Sequence, residues 1–207
     1  MRLSIAVLLT ISIIGCVNKK TIVKIEDINV IRTSRDSSYT FQGKLFSGEI
    51  IQFDEKGNTI KSFTTENGKI NGVYKAFYTN GSKKIFAEYH SGILNGEKIN
   101  YYSNGKIAEQ LFYSNGRIDG VRKTFWNNGL LKEENGFKKG ILFGQSKFYF
   151  SNGKMRKQIE FDSNGNRDGN WIDYYPSGKI KQKTSYRSGK IIDSLIRYSK
   201  EGKENKK

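Results

Sequence analysis

The sequence is poor in the residues that build metal centres and catalytic clusters. It has one cysteine, Cys16, and one histidine, His90, in 207 residues. A lone cysteine excludes a disulfide framework and a cysteine-rich zinc site. A lone histidine excludes multi-histidine metal sites and leaves few routes for histidine-based catalysis. One proline beside 22 glycines is neither collagen-like nor a proline-rich linker. Apolar residues make up only 36%, low for a domain built on a thick core. There is no dinucleotide-type glycine loop, no phosphate-binding loop ending in Gly-Lys-Ser/Thr, and no Gly-x-Ser-x-Gly elbow. Acidic residues number 20 against 36 basic ones, so the net charge is +16. A chain this basic attracts anions: nucleic acid, anionic lipid or an acidic protein. What is plentiful is aromatic: 13 Phe and 12 Tyr in a regular pattern bury too much surface for a disordered chain.

The first residues read as an address. Arg2 is a short basic start, and Leu3 to Ile14 is an apolar run too short to span a bilayer. Ile13-Ile14-Gly15-Cys16 resembles the lipobox of bacterial lipoproteins. That resemblance implies removal of residues 1–15, a signal peptide, and a thioether-linked lipid, with a palmitate-type acyl chain, on Cys16. Two or three acyl chains anchor stably where one is marginal. Residues 16–38 read as a lipidated start and tether, with a strand expected at Thr21 to Ile31.

The remainder is periodic. Gly57, Gly81, Gly105, Gly129, Gly153, Gly178 and Gly202 recur every 24 residues, with one spacing of 25. Two further series start at Gly68 and Gly48, and only Gly15, Gly43 and Gly136 lie outside the three. One aromatic column is complete: Phe53, Phe77, Tyr101, Phe125, Tyr149, Tyr174 and Tyr198. The next position holds Tyr78, Tyr102, Trp126, Phe150 and Tyr175, with Asp54 and Ser199 at the ends. A third column is Tyr89, Tyr113, Phe137, Phe161 and Tyr186. Each unit reads strand, tight Asn-Gly turn, strand, looser Gly-x-x-x-Gly turn, because Asn-Gly suits a two-residue hairpin. No apolar 3.6-residue period lasts beyond two turns, so helix is not expected. The expectation is an all-β, elongated antiparallel meander, a solenoid-like sheet of six to seven 24-residue hairpin repeats over residues 39–203, with a basic tail at 204–207. The complete aromatic column should form the inner stack and the second column should be more exposed.

The copies at 97–106 (EKINYYSNGK), 121–129 (VRKTFWNNG) and 145–154 (QSKFYFSNGK) resemble the MORN-repeat variant of YwqK-like bacterial proteins, often labelled antitoxin components of toxin–antitoxin systems. The resemblance covers about residues 39–203. It implies a non-enzymatic interaction protein whose partner is a toxin. Asp193 departs from the pattern by replacing the last paired glycine.

The candidate binding surface is the second aromatic column, Tyr78, Tyr102, Trp126, Phe150 and Tyr175, with Lys106, Lys132, Lys154 and Lys179 just after the turns. The alternative for the rings is that they fill the sheet's own faces; for the lysines, it is solvation and edge protection. Glu88, Glu109, Glu133, Glu134 and Glu160 read as cross-strand ion pairs rather than an acid–base pair. His90 reads as a solvated turn residue. No catalytic residue, metal ligand or cofactor is expected. Taken together, the sequence predicts a lipid-anchored bacterial envelope protein with an unidentified protein partner, and export away from nucleic acid. The alternative is a structural envelope protein that binds anionic lipid or cell-wall polymer.

Overall fold

The computed structural model describes residues 21–32 and 37–205; the leader, Cys16 and the start of the tether lie outside them. The chain is a succession of strands: β1 (Ile22–Lys24), β2 (Asn29–Arg32), β3 (Ser37–Phe41), β4 (Lys44–Leu45), β5 (Gly48–Phe53), β6 (Thr59–Glu66), β7 (Lys69–Phe77), β8 (Lys83–His90), β9 (Ile93–Tyr101), β10 (Ile107–Ser114), β11 (Arg117–Ile118), β12 (Gly120–Phe125), β13 (Leu131–Lys138), β14 (Ile141–Tyr149), β15 (Met155–Phe161), β16 (Gly169–Tyr174), β17 (Ile180–Arg187), β18 (Lys190–Ile191) and β19 (Ile196–Arg197). A single short 3-10 turn, Ile25–Asp27, follows β1. From β5 onward each strand pairs antiparallel with its sequence neighbour; β11 and β12 both pair with β10, and β18 and β19 both pair with β17. The all-β meander read from the repeat is the fold.

Three details differ from the sequence reading. The first is the turn chemistry. The two-residue hairpins are the other connections, such as Ser91-Gly92, where His90 pairs directly with Ile93. Both central residues there have positive φ, 49° and 84°, the requirement of a type I′ turn whose twist matches its strands. Asn80-Gly81 instead belongs to a three-residue loop. The Tyr78 amide donates to the Ser82 carbonyl at 2.9 Å, and the Gly81 amide to the Tyr78 carbonyl at 2.9 Å. Asn80 holds this loop through its side chain, its Oδ1 accepting the Ser82 amide at 3.0 Å, an Asx turn. The extra residue between Gly153 and Gly178 has the same origin: the Asp162–Asn166 connection is a three-residue loop, with the Asp162 amide donating to Asn166 at 2.9 Å.

The paired glycines have separate tasks. Gly92 closes the type I′ turn, while Gly96 sits at a bulge where β9 slips relative to β8 between Ala87 and Tyr89. Its φ is +117°, and any Cβ there would run into the Glu88 side chain. That carboxylate accepts the Glu97 amide at 2.7 Å, closing the bulge.

The second difference is the expected tether. Residues 21–32 form β1, which lies parallel to β5, and β2, which joins β3 and β4 in a separate three-stranded sheet. The reason is apolar: Ile28, Phe46, Ile50 and Phe63 are buried together, with Val23, Ile25, Tyr39, Phe41, Ile70 and Tyr74 packed around them. Tyr39 meets Phe63 at 5.1 Å between centroids, and Phe63 stacks on Tyr74 at 5.8 Å. The small sheet caps the first units. The basic tail is also partly paired, since the Asn205 amide donates to the Arg197 carbonyl at 2.8 Å. Nor is His90 a turn residue; it closes β8 and is exposed.

The third difference is burial. Cross-strand register puts Ala87, Leu111, Asn135, Ser146 and Thr184 on the same face as Phe63, and all of them are buried. Beyond the cap the core is therefore one residue deep. The complete aromatic column and its neighbour are both half-buried rather than divided into inner and outer.

Two predictions follow from the cap. Phe63→Ala should lower stability by about 3–5 kcal/mol in urea melts. Burial, and then the hydroxyls of Tyr89 and Tyr39, push the Tyr74 phenol above 10.0. An acid whose pKa is raised by folding contributes stability below its unfolded value and loses it as pH rises through the folded one. Stability should therefore fall above about pH 10, and less steeply in Tyr74→Phe.

Candidate functional site

The residues singled out for binding converge on one edge of the sheet, where the three-residue loops stack. There they contact the next loop along. The Tyr78 hydroxyl donates to the Tyr101 carbonyl at 2.7 Å, Tyr102 to Phe125 at 2.7 Å, and Tyr175 to Tyr198 at 2.9 Å. The asparagine of each Asn-Gly adds a second tie: Asn80 Nδ2 donates to the Ser103 carbonyl at 3.0 Å, and Asn128 Nδ2 to Ser151 at 3.0 Å. The lysine after the glycine adds a third. Lys106 Nζ reaches the Asn128 carbonyl at 2.7 Å, Lys154 reaches Ser177 at 3.1 Å, and Lys179 reaches Glu201 at 2.9 Å. A hairpin loop leaves carbonyls that no ladder satisfies, and side chains from the preceding unit satisfy them.

Trp126 and Phe150 occupy the same column without making this bond. Phe150 has no donor, and the indole nitrogen of Trp126 is buried without a partner. Lys132 sits over the Trp126 ring at 4.8 Å from its centroid, a cation–π contact. So of the nine candidates, Tyr78, Tyr102, Tyr175, Lys106, Lys154 and Lys179 join unit to unit, and Lys132 covers Trp126.

The acidic residues are engaged too. Arg122 lies 2.6 Å from Glu109 and 3.9 Å from Glu133, and Lys123 lies 3.7 Å from Glu134. Asn100 Nδ2 donates to Glu109 at 2.7 Å. A second cluster was not legible in the sequence because it depends on register across three strands. In it Lys157 lies 3.4 Å from Asp173, which also accepts from Gln182 at 2.6 Å. Arg167 and Lys157 stand over the Trp171 ring at 4.2 and 4.8 Å. In these pairs cation and carboxylate neutralise one another, and a paired carboxylate is a poor general base. Asp54 and Asp162 are held below the usual carboxylate range by hydrogen bonds from Asn58 and Asn166 within their own loops. Among the described residues no group of three or more His, Cys, Asp and Glu could hold a metal ion.

This architecture is that of a repeat protein in which each unit is completed by the next. Residues 94–115, 144–166 and 167–191 match the family model described as the MORN repeat variant, so the chain carries MORN-type repeats. The unmatched loops at 78–82 and 126–130 repeat the same hydrogen bonds. No curated protein matches the chain.

Replacing Tyr102 with Phe should cost about 0.5–1.5 kcal/mol, the net worth of one hydrogen bond, by denaturant unfolding. Trp126→Tyr, which restores the hydroxyl of its column, should not destabilise the chain.

Proposed function

We propose that the array is a non-catalytic surface for a protein partner, held at a bacterial envelope membrane by a lipid on Cys16 after loss of residues 1–15. What supports this reading is the sheet itself. Sixteen strands in one sheet offer two broad faces, and the carboxylates of Glu109, Glu133, Glu134 and Asp173 are tied to lysine, arginine or amide groups. The excess of basic over acidic residues, which loss of Arg2 barely changes, makes an acidic partner the favoured kind, since long-range attraction raises the encounter rate. A toxin, the partner implied by the resemblance to YwqK-like antitoxin components, is one protein of this class.

The same charge also favours a second reading, a structural envelope protein binding anionic lipid or wall polymer. Among the described residues no helix is long and apolar enough to cross a membrane. The two readings separate when residues 17–207, without lipid, are sedimented with vesicles. Binding that requires anionic lipid and fades with salt supports the second; absence of binding supports a protein partner.

Cys16→Ser in the full chain should abolish incorporation of labelled fatty acid and move the protein from the membrane to the soluble fraction. Continued membrane retention would overturn the anchor.

A further inference from the structure

The turns of this array rest on a reactive dipeptide. Asn-Gly occurs ten times, and four copies share the tripeptide Ser-Asn-Gly, at 103–105, 114–116, 151–153 and 163–165. In such a pair the glycine nitrogen can attack the asparagine side-chain carbonyl, because glycine has no side chain to hinder the approach. Hydrogen bonds on the asparagine side chain or on the glycine amide oppose the attack, since they must break first. The four copies have the same local sequence, so differences among them come from the fold.

Three of the four are restrained. Asn104 is held at both ends of its amide: Oδ1 accepts the Lys106 amide at 3.1 Å, and Nδ2 donates to Asn127 Oδ1 at 2.7 Å. Asn152 is held through Oδ1, which accepts the Lys154 amide at 3.0 Å. At Asn115 the restraint is on the nucleophile, because the Gly116 amide joins unit to unit by donating to the Leu94 carbonyl at 2.8 Å.

Asn164 lacks all of these restraints. Its loop begins with Asp162 where the loops at 102 and 150 begin with an aromatic residue. The Asp162 carboxylate takes over the work of the asparagine side chain, with Oδ1 accepting the amides of Asn164 at 2.8 Å and Asn166 at 2.9 Å. The Asn164 side chain is thereby released; among the described residues it has no hydrogen bond, and it is exposed. The Gly165 amide is bonded only within its own loop, to the Asp162 carbonyl at 3.1 Å, the longest of the four glycine bonds. The glycine itself is fixed by the fold. Its φ is +80°, and a Cβ there would come within 2.9 Å of Ile141 Cγ2.

We propose that Asn164-Gly165 is a site of spontaneous deamidation that loosens the junction with the last unit. The Gly165 nitrogen bonds to Asn164 Cγ, the bond from Cγ to Nδ2 breaks, and ammonia leaves a five-membered succinimide. Water then opens the ring at either carbonyl, giving aspartate or isoaspartate; the net change is one water consumed and one ammonia released, with no redox step. Isoaspartate lengthens the backbone by a methylene inside the loop and displaces Asn166 and Arg167. The last unit leans on both: a Cβ on Gly189 would touch the Asn166 side chain, and the Gly189 amide donates to the Arg167 carbonyl at 2.8 Å. Arg167 also stands over the Trp171 ring at 4.2 Å.

The test incubates the folded full-length chain at mildly alkaline pH, below its melting temperature. Digestion at mildly acidic pH, where the reaction slows, and mass spectrometry then follow the four Ser-Asn-Gly peptides. Conversion at 164 should lead, at least about tenfold faster than at 104, where two side-chain bonds must break. In urea the four should convert at similar rates. Conversion at 104, 115 or 152 as fast as at 164 would overturn the site. So would a lead at 164 that persists in urea, or an unreacted Asn164 when the urea sample has converted. Hydrogen exchange on the aged protein reads the consequence: protection at Gly189 should fall at least about tenfold in the isoaspartate fraction while Gly92 is unchanged. Equal protection at Gly189 before and after conversion would overturn the loosened junction.

Discussion

Everything in this molecule depends on backbone groups at the two edges of the sheet being satisfied by the neighbouring unit. A meander of short strands buries little: beyond the cap, the buried row holds residues as small as Ala87 and Ser146. Burial of this kind cannot fix a register. Hydrogen bonds at both edges do so instead. At one edge the hairpin glycine amides donate back to the previous unit, Gly92 to Ile70 at 2.7 Å and Gly116 to Leu94 at 2.8 Å. At the other, tyrosine, asparagine and lysine side chains reach forward to the next loop. Each unit is thus incomplete alone, the general condition of a repeat array whose stability sums nearest-neighbour terms.

This explains why the chain spends aromatic and basic residues where it does. A half-buried tyrosine contributes ring contact and a donor from one side chain. A lysine can lay its stem along the loop and place its ammonium on a carbonyl. The pattern that looks most like a binding surface in the sequence, a column of rings followed by a column of cations, is what joins the units. The N-terminal end needs a different solution, because the first unit has no predecessor. There, β1 and the small sheet of β2 to β4 supply the missing contacts through Ile28, Tyr39 and Phe46.

The repeat, the strand content and, among the described residues, the absence of α-helix were legible because glycine spacing and aromatic alternation are local. Turn assignment was not. Asn-Gly satisfies both a type I′ turn and a three-residue loop, and the choice fell to strand twist and to the Asn80 side chain. A strand at 21–31 was readable, but its packing into a cap was not, because Val23, Ile25 and Ile28 carry no repeat signature and their burial depends on residues such as Phe63 far along the chain. The Arg122 cluster depends on register between strands.

Native-state hydrogen exchange at the hairpin tips tests the account most directly. Gly92, Gly116, Gly140 and Gly189 are exposed turn residues, and such positions ordinarily exchange near the unprotected rate. If their amides bond the preceding unit, they will be protected nearly as strongly as mid-strand amides, and Tyr102→Phe will weaken that protection most in the units it joins. Exchange at the free-peptide rate at all four tips would contradict the picture of units locked one to the next.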